Sequence, residues 1–560
     1  MRRHSLFVTI ICLVLIVFSS CNHLPDHARY IPKDASIVVG INMKAIEKKV
    51  AWDSFVGSKL FDKIEKNSPI KSILADAQNS GISDNTPYLY IKYDKRFSEG
   101  GEITALIPLS DAGKWEAYMK KIFPKATIKQ VSGRKEAMLP YNMYAGWNDK
   151  LLIVIYGLPS ASNYQSMAMA AMANNATGGD SSSAAAPQSK GMDETTMAAE
   201  MENAFSVTRE NSLIENKRFT QLESAGHDIT SWVNYDVLLT RYMQQMSGMT
   251  GGVTLANTLW KDAAAASYCD FKDGAINGNV RYYMSDDLKD ICKELGATNA
   301  DKDMINRLPV QNLDLLMAWH LSPKGLKALL EKIGVLGFAN VALTSQNMNV
   351  DSILNAFTGD MAIAVDNFAL NNQSQQPTDS LGMTNSFKPS LDAMFVIKIN
   401  KKESFNKLLQ MLISSGGGGL TPMGNNTYMV PITSTDSIFI MTDDNYAIVS
   451  NRSAVASNFL KGAYKGQKLP AEADIYGHPS GMFIDVQQVV STINPGIAHS
   501  AHDSTMIAEG KKLVSSMAMS GGAFKDGAFE YNMSVNFVDK KENSLLQILD
   551  FAVRMNTGNQ

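Results

Sequence analysis

Near the end of the chain every second residue is apolar. Tyr531, Met533, Val535 and Phe537 alternate with Glu530, Asn532, Ser534 and Asn536. A period of two predicts a strand with one face buried in an antiparallel sheet. It is preceded by Phe524-Lys525-Asp526-Gly527-Ala528, and the same five residue types stand at Phe271-Lys272-Asp273-Gly274-Ala275. There Ile276, Val280 and Tyr282 take the apolar phase. Each strand then gives way to helical spacing at i, i+3, i+4 and i+7. The apolar stripe is Leu288, Ile291, Cys292 and Leu295 after the first strand. It is Leu545, Ile548, Leu549 and Ala552 after the second.

The correspondence extends upstream. Ala105–Leu109 predicts a strand, followed by a helix with Trp115, Tyr118, Met119 and Ile122 on one face. Phe395–Ile399 predicts another, followed by Phe405, Leu408, Leu409 and Leu412 at one constant offset. Met143–Trp147 and Leu151–Tyr156 read as a hairpin turning at Asn148-Asp149-Lys150. Ser437–Met441 and Tyr446–Ser450 read as its counterpart, turning at Asp443-Asp444-Asn445. Gly226-His227 before Trp232–Asp236 matches Gly477-His478 before Met482–Asp485. Ser36–Ile41 matches Leu315–His320. Repetition of this kind predicts two tandem homologous α+β units, residues 30–298 and 303–557. Each is expected to be a mostly antiparallel sheet with helices packed on one face. Residues 161–203, rich in Ser, Ala, Met, Asn and Gly, read as a disordered insert in the first unit. A smaller polar insert, 369–389, falls in the second.

At the other end, Leu6 to Phe18 is an apolar stretch behind Arg2 and Arg3. It is too short to span a bilayer, which takes about twenty residues. It has the length of a secretory signal core. Phe18-Ser19-Ser20-Cys21 resembles a bacterial lipobox. The expectation is a signal peptide over residues 1–20 and a lipidated Cys21. Residues 21–29 are read as a tether, part of a polar stretch reaching to residue 33. Such a Cys carries two or three acyl chains, enough for stable anchoring. The expected location is the cell envelope, lipid-anchored at the outer membrane, with the face left open.

Composition adds exclusions. The formal net charge is −3 and no basic patch interrupts it. That argues against nucleic acid. Four Cys are present. Cys12 would leave with the signal and Cys21 would carry lipid. Cys269 and Cys292 remain, in an exported chain where disulfides form. A disulfide and two buried thiols are both open readings.

The candidate chemistry is thin. His499, His502 and Asp503 form the best metal candidate, with the two His at i and i+3, but no third firm ligand is identifiable and a solvated loop is the default. His227 and His478 recur at matched positions, each after Gly, and read as turn residues. Asp236 and Asp485 close a strand and open a helix, the position of an N-cap. Gly416–Gly419 follows a helix and lacks the Lys and Ser/Thr of a phosphate cradle. No G-x-S-x-G elbow is present. No cofactor is expected.

Tyr30-Ile31-Pro32-Lys33-Asp34-Ala35 and Phe357-Thr358-Gly359-Asp360-Met361, each leading into a strand behind a lipobox, resemble a Bacteroidota lipoprotein family catalogued as a domain of unknown function. The resemblance implies an envelope lipoprotein and supplies no activity. The function expected is a membrane-anchored, non-enzymatic binding or structural module with a protein or glycan ligand. The alternatives are a hydrolase of envelope glycans or peptides, its site assembled from sequence-distant residues, and a periplasmic chaperone or assembly factor.

Overall fold

The structure, a computed structural model, describes residues 24–50, 79–93, 101–158, 192–245, 259–372, 387–414, 420–433, 436–492 and 501–557. The fold is α+β and its strands pair antiparallel, because the period-two segments each have one face to bury. The described residues fall into two compact units. The first holds the described residues up to 245 together with 266–268, and the second holds 259–265 and 269–557.

The first unit contains β1 (Ile37–Ile41), α1 (Met43–Glu47), β2 (Tyr88–Tyr93), β3 (Gly101–Pro108) and α2 (Ala112–Ile122). It continues with β4 (Lys129–Val131), β5 (Arg134–Leu139), β6 (Met143–Trp147), β7 (Leu151–Leu158), α3 (Glu194–Phe205), α4 (Lys217–Ser224), β8 (Ile229–Asn234) and α5 (Tyr235–Gln245). Its strand order is β8-β1-β2-β3-β7-β6-β5-β4. Trp115, Tyr118 and Met119 of α2 pack with Ala137, Leu139, Ala145, Trp147 and Leu152 of the sheet. That is the helix face expected from the sequence.

The second unit begins with β9 (Ala264–Lys272), β10 (Ala275–Tyr283), α6 (Lys289–Leu295), α7 (Lys302–Ile305), β11 (Leu313–His320), α8 (Pro323–Lys332), α9 (Leu336–Thr344) and α10 (Val350–Leu354). It continues with β12 (Phe357–Asn372), β13 (Phe387–Ile399), α11 (Lys402–Ser414), β14 (Thr421–Gly424), β15 (Thr427–Pro431), β16 (Ser437–Thr442), β17 (Tyr446–Ser450) and α12 (Ser453–Lys461). It ends with β18 (Ser480–Asp485), α13 (Val486–Ser491), α14 (Ala501–Leu513), β19 (Val514–Lys525), β20 (Ala528–Phe537) and α15 (Ser544–Thr557). The strand order is β9-β10-β20-β19-β18-β11-β12-β13-β17-β16-β15-β14. The last eight repeat the order of the first unit position for position. The main core gathers Leu316, Met394, Val396, Ile448, Phe459 and Phe483. The hairpin β19–β20 turns on Asp526 and Gly527, both at positive φ. That is the backbone a two-residue turn needs to match strand twist.

Four expectations about the fold are corrected. The division between units falls within β9, not between residues 298 and 303, because β10 pairs with β20 along its whole length, from Ala275↔Asn536 to Tyr283↔Ala528. The insert 161–203 is helical at its end. In α3, Met197, Met201 and Ala204 are buried, and Met201 sits where a side chain on Gly146 would be. Arg134 and Lys92 bind Glu202 and Glu200 of the same helix. The second insert, 369–389, is partly strand, since β12 and β13 extend through Asn372 and from Phe387. Residues 159–191 and 373–386 lie outside the described residues. No described helix is long and apolar enough to cross a membrane.

The tether is also shorter than the sequence suggests. A 3-10 turn, Asp26–Tyr30, buries His27 and Ala28. His27 Nε2 lies 2.6 Å from the Thr86 carbonyl oxygen. Burial lowers the pKa of this ring, and the Thr86 carbonyl and Asp26 offset part of that.

Candidate functional site

The motif Phe357–Met361 opens β12 beside the end of β11. His320 and Asp360 face each other in register, with His320 Nδ1 2.9 Å from Asp360 Oδ1. Both side chains are nearly buried. Thr358 Oγ1 donates to Asp360 Oδ2 at 2.7 Å, and the backbone amide of Asp301 donates to Oδ1 at 3.1 Å. Burial works against the Asp360 carboxylate. The hydrogen bonds from His320 and Thr358, with the charge of Lys398, outweigh it and hold the pKa below its usual value. Lys398 is also paired with Asp301.

Gly359 explains the motif's middle position. Its φ is +101° and its carbonyl accepts from Leu321 N at 2.9 Å. A Cβ would collide with the Leu321 carbonyl oxygen. Only glycine fits both demands. The arrangement fixes the imidazole through Nδ1, which is how a carboxylate orients a general base. It also ties β11, β12 and the start of α7 to one carboxylate.

A second polar group runs across four adjacent strands. Asp485, Asp314, Asp366 and Asp392 lie on β18, β11, β12 and β13. Asp314 Oδ2 accepts from Phe368 N at 2.7 Å. Its Oδ1 is buried with no hydrogen-bond partner among the described residues. Asp392 pairs with Arg452. Burial, with the charges of Asp392 and Asp314, pushes Asp366 up to about 6. Among the described residues no three or more His, Cys, Asp or Glu side chains are placed to hold a metal ion.

The two large apolar side chains with the highest fractional exposure among the described residues are on α9. Phe338 is 80% exposed and Val341 76%. None of the residues of α9 is buried. The helix packs against α8 and α10. From Ile333 to Val350 the sequence carries no charged residue.

The residues singled out in the sequence are placed as follows. Cys21 and His499 lie outside the described residues, as does the Gly416–Gly419 run. His502 and Asp503 are positions on α14, and their side chains are not described. Cys292 is a free thiol, 2% exposed, so the bridge to Cys269 is not made. The reason is packing: α6 lies against α8 and β19, whereas β9 pairs with β10. Burial pushes the Cys292 thiol up to about 11. His227 stacks on Tyr268 with ring centroids 3.4 Å apart. His478 Nε2 lies 3.2 Å from Asp474 Oδ2. Asp485 is the N-cap of α13, accepting from Gln488 N at 2.7 Å. Asp236 is not its counterpart. Helix α5 starts two residues earlier than that cap requires, at Tyr235, and Asn234 Oδ1 accepts from Val237 N at 3.1 Å. The His320–Asp360 pair was missed because its members are forty residues apart. The exposed helix was missed because its run includes Asn, Thr, Ser and Gln. The missing charge was the readable signal.

The chain matches no family model and no curated protein. Among solved structures it is similar to crystal form IV of TP0453, at 10% identity and a TM-score of 0.25, over 45% of this chain and 80% of that one. Crystal form III of TP0453 gives 9%, 0.25, 47% and 81%. Values this low carry no argument about fold or function.

Proposed function

We propose that the chain is a lipid-anchored envelope protein that binds a partner at the membrane surface and does no chemistry of its own. The observation that carries this reading is the start of the fold. The first described element begins at Asp26, and His27 and Ala28 are already buried in it. With a lipid on Cys21, the first unit sits directly at the anchor with almost no stalk. We propose also that the units descend from one duplicated α+β unit. The shared strand order supports this, and so does the register of β10 with β20. Asn279 lies opposite Asn532, the residue that matches it when the two Phe-Lys-Asp-Gly-Ala hairpins are aligned.

The anchor is tested by expressing the full chain in a Gram-negative envelope and weighing its N-terminal peptide. Diacylglycerol on Cys21 is expected, and its loss in Cys21→Ser. An unmodified Cys21 in the envelope-inserted protein sinks the reading. A hydrolase is the second reading, and His320–Asp360 is the specific observation in its favour. Turnover of peptidoglycan fragments or peptides by the purified chain, lost in His320→Ala with the fold intact, would establish it.

A further inference from the structure

The chain ahead of β1 is fastened to the first unit in two different ways. From Ile31 onward the fastening is backbone: Leu213 N donates to the Ile31 carbonyl at 2.9 Å, and Lys33 N to the Asn211 carbonyl at 2.8 Å. Neither bond titrates. The turn Asp26–Tyr30 before it is fastened by a side chain. Among the described residues, its one hydrogen bond to the rest of the unit joins His27 Nε2 to the Thr86 carbonyl oxygen, at 2.6 Å. The bonds from Ala28 N to Pro25 O, from Ile31 N to Ala28 O and from Arg29 to the Tyr30 hydroxyl stay local to the turn. A carbonyl oxygen only accepts, so Nε2 carries the ring proton and Nδ1 is where a second one adds. His27 is 8% exposed, and its ring lies against Tyr88 with centroids 5.5 Å apart. A charge formed there is largely desolvated.

The groups around the ring do not compensate. Asp26, on the same turn, favours the imidazolium, and burial outweighs it. Glu223 of α4 accepts from the Tyr88 hydroxyl at 3.0 Å. Asp84, in the loop that carries Thr86, pairs with Lys44. Strand β3 and the 3-10 turn Leu213–Glu215 pack on the Asp26–Tyr30 turn. Of their charges, Glu215 pairs with Arg209, and Glu102 acts on Tyr90 and Lys92.

We infer that His27 is an acid-released latch on the N-terminal lead: the turn stays docked while the imidazole is neutral and leaves its site when the ring takes a second proton. Burial holds the pKa of the docked ring below its usual value, and release restores it. Docking is therefore fully favoured above the ordinary histidine value, about 6.5, and weakens as pH falls through it. The backbone bonds at Ile31 and Lys33 are untouched, so release stops there. What release does for the molecule rests on Cys21 being the lipid anchor. Docked, the lead from Cys21 to Asp26 is five residues, at most about 18 Å. Released, it runs ten residues to Ile31, at most about 36 Å. Acid thus doubles the distance at which the first unit can stand from its anchor.

The test uses the full-length protein isolated from its envelope in detergent. Hydrogen–deuterium exchange of the peptide covering residues 24–31 is followed from pH 7.5 down to pH 4.5 and corrected for intrinsic exchange. Wild type should lose about tenfold in protection by pH 5, while β2 and β3 keep theirs. His27→Gln retains an N–H for Thr86 and cannot be charged, so its protection should not change with pH. His23→Gln, at the next histidine in the sequence, and Glu223→Gln, at the acid bonded to Tyr88, should respond as wild type does. A response that survives His27→Gln, or that either other substitution abolishes, overturns the assignment to His27. Where Gln docks poorly, the wild-type profile decides: a fall starting near pH 6.5 is histidine's, and one confined to the carboxylate range, about 4–4.5, overturns it. Equal loss in β2 and β3 overturns a local latch. The mass of the Cys21 peptide is read on the same sample. Lipid on Cys21 with no pH response overturns the latch and leaves the anchor standing. A response in protein with unmodified Cys21 keeps the latch and overturns its action on a lipid tether.

Discussion

Single residues here are explained by what their neighbours leave them. Asp366 sits between Asp314 and Asp392 in a partly dry site, and its pKa rises from 3.8 to about 6. The folded chain thus keeps a proton that the unfolded chain has released. Stability is full below about pH 4 and falls as pH rises through 6, because above that the buried carboxylate must ionise. Asp366→Asn removes the penalty. It should raise the unfolding free energy by about 1–2 kcal/mol at pH 7.5, allowing for solvent screening, and change little at pH 4. Urea denaturation at the two pH values measures this. An equal effect at both would refute the origin assigned here. Gly359→Ala has the opposite sign at every pH. The backbone at φ +101° and the Leu321 carbonyl both exclude a methyl group, and a loss of about 2–4 kcal/mol is expected. The five-residue motif was legible in the sequence as a marker. Its function as a clamp was not, since its partner His320 stands on another strand.

Elements were the most legible level, and the exceptions have physical causes. Period-two and period-3.6 patterns found α2, α11 and the strands with a clear buried face, and missed β2, β4, β5, β14, β15 and β19, of which β14 is exposed along its length. Leu412, expected on the packed face of α11, is 55% exposed. The start of helix α5 was misread by two residues. Asp236 and Asn234 are both good caps by type, and only the position of the first turn decides between them. Asn234→Ala should therefore cost about 1 kcal/mol, whereas Asp236→Ala should stay within about 0.5 kcal/mol. Chemical denaturation of the two variants separates them, and the reverse ranking would restore the reading made from sequence. Helix α3 was hidden by composition. Its stripe of Met197, Met201 and Ala204 is embedded in a Met-, Ala- and Ser-rich stretch, and the ion pairs that hold it come from Lys92, Lys129 and Arg134, far away in sequence.

At the scale of the molecule, repetition in the sequence predicted two units, and the structure moves the boundary between them. The pattern could reveal that β10 and β20 are alike. It could not reveal that they pair with each other, because likeness says nothing about contact. The pairing has a centre: Asn279 Nδ2 donates to Asn532 Oδ1 at 2.8 Å and to Glu530 Oε1 at 3.0 Å. Asn279 is buried. Asn279→Asp deletes both donors and sets a carboxylate against Glu530. Left unpaired there, it should cost about 3 kcal/mol at neutral pH. The loss should shrink as pH falls toward the carboxylate range, where one of the two acids takes up a proton. Because β10 and β20 share one ladder, their amides should lose hydrogen-exchange protection together in the variant. Loss confined to Ala275–Tyr283, with Ala528–Phe537 still protected, would show that the ladder does not open as a unit. It would also remove the pairing as the link between the two hairpins. The Cys292 thiol on α6, buried and protonated at neutral pH, gives a second readout. It should resist alkylation in the wild type and react in Asn279→Asp at the rate at which those strands open.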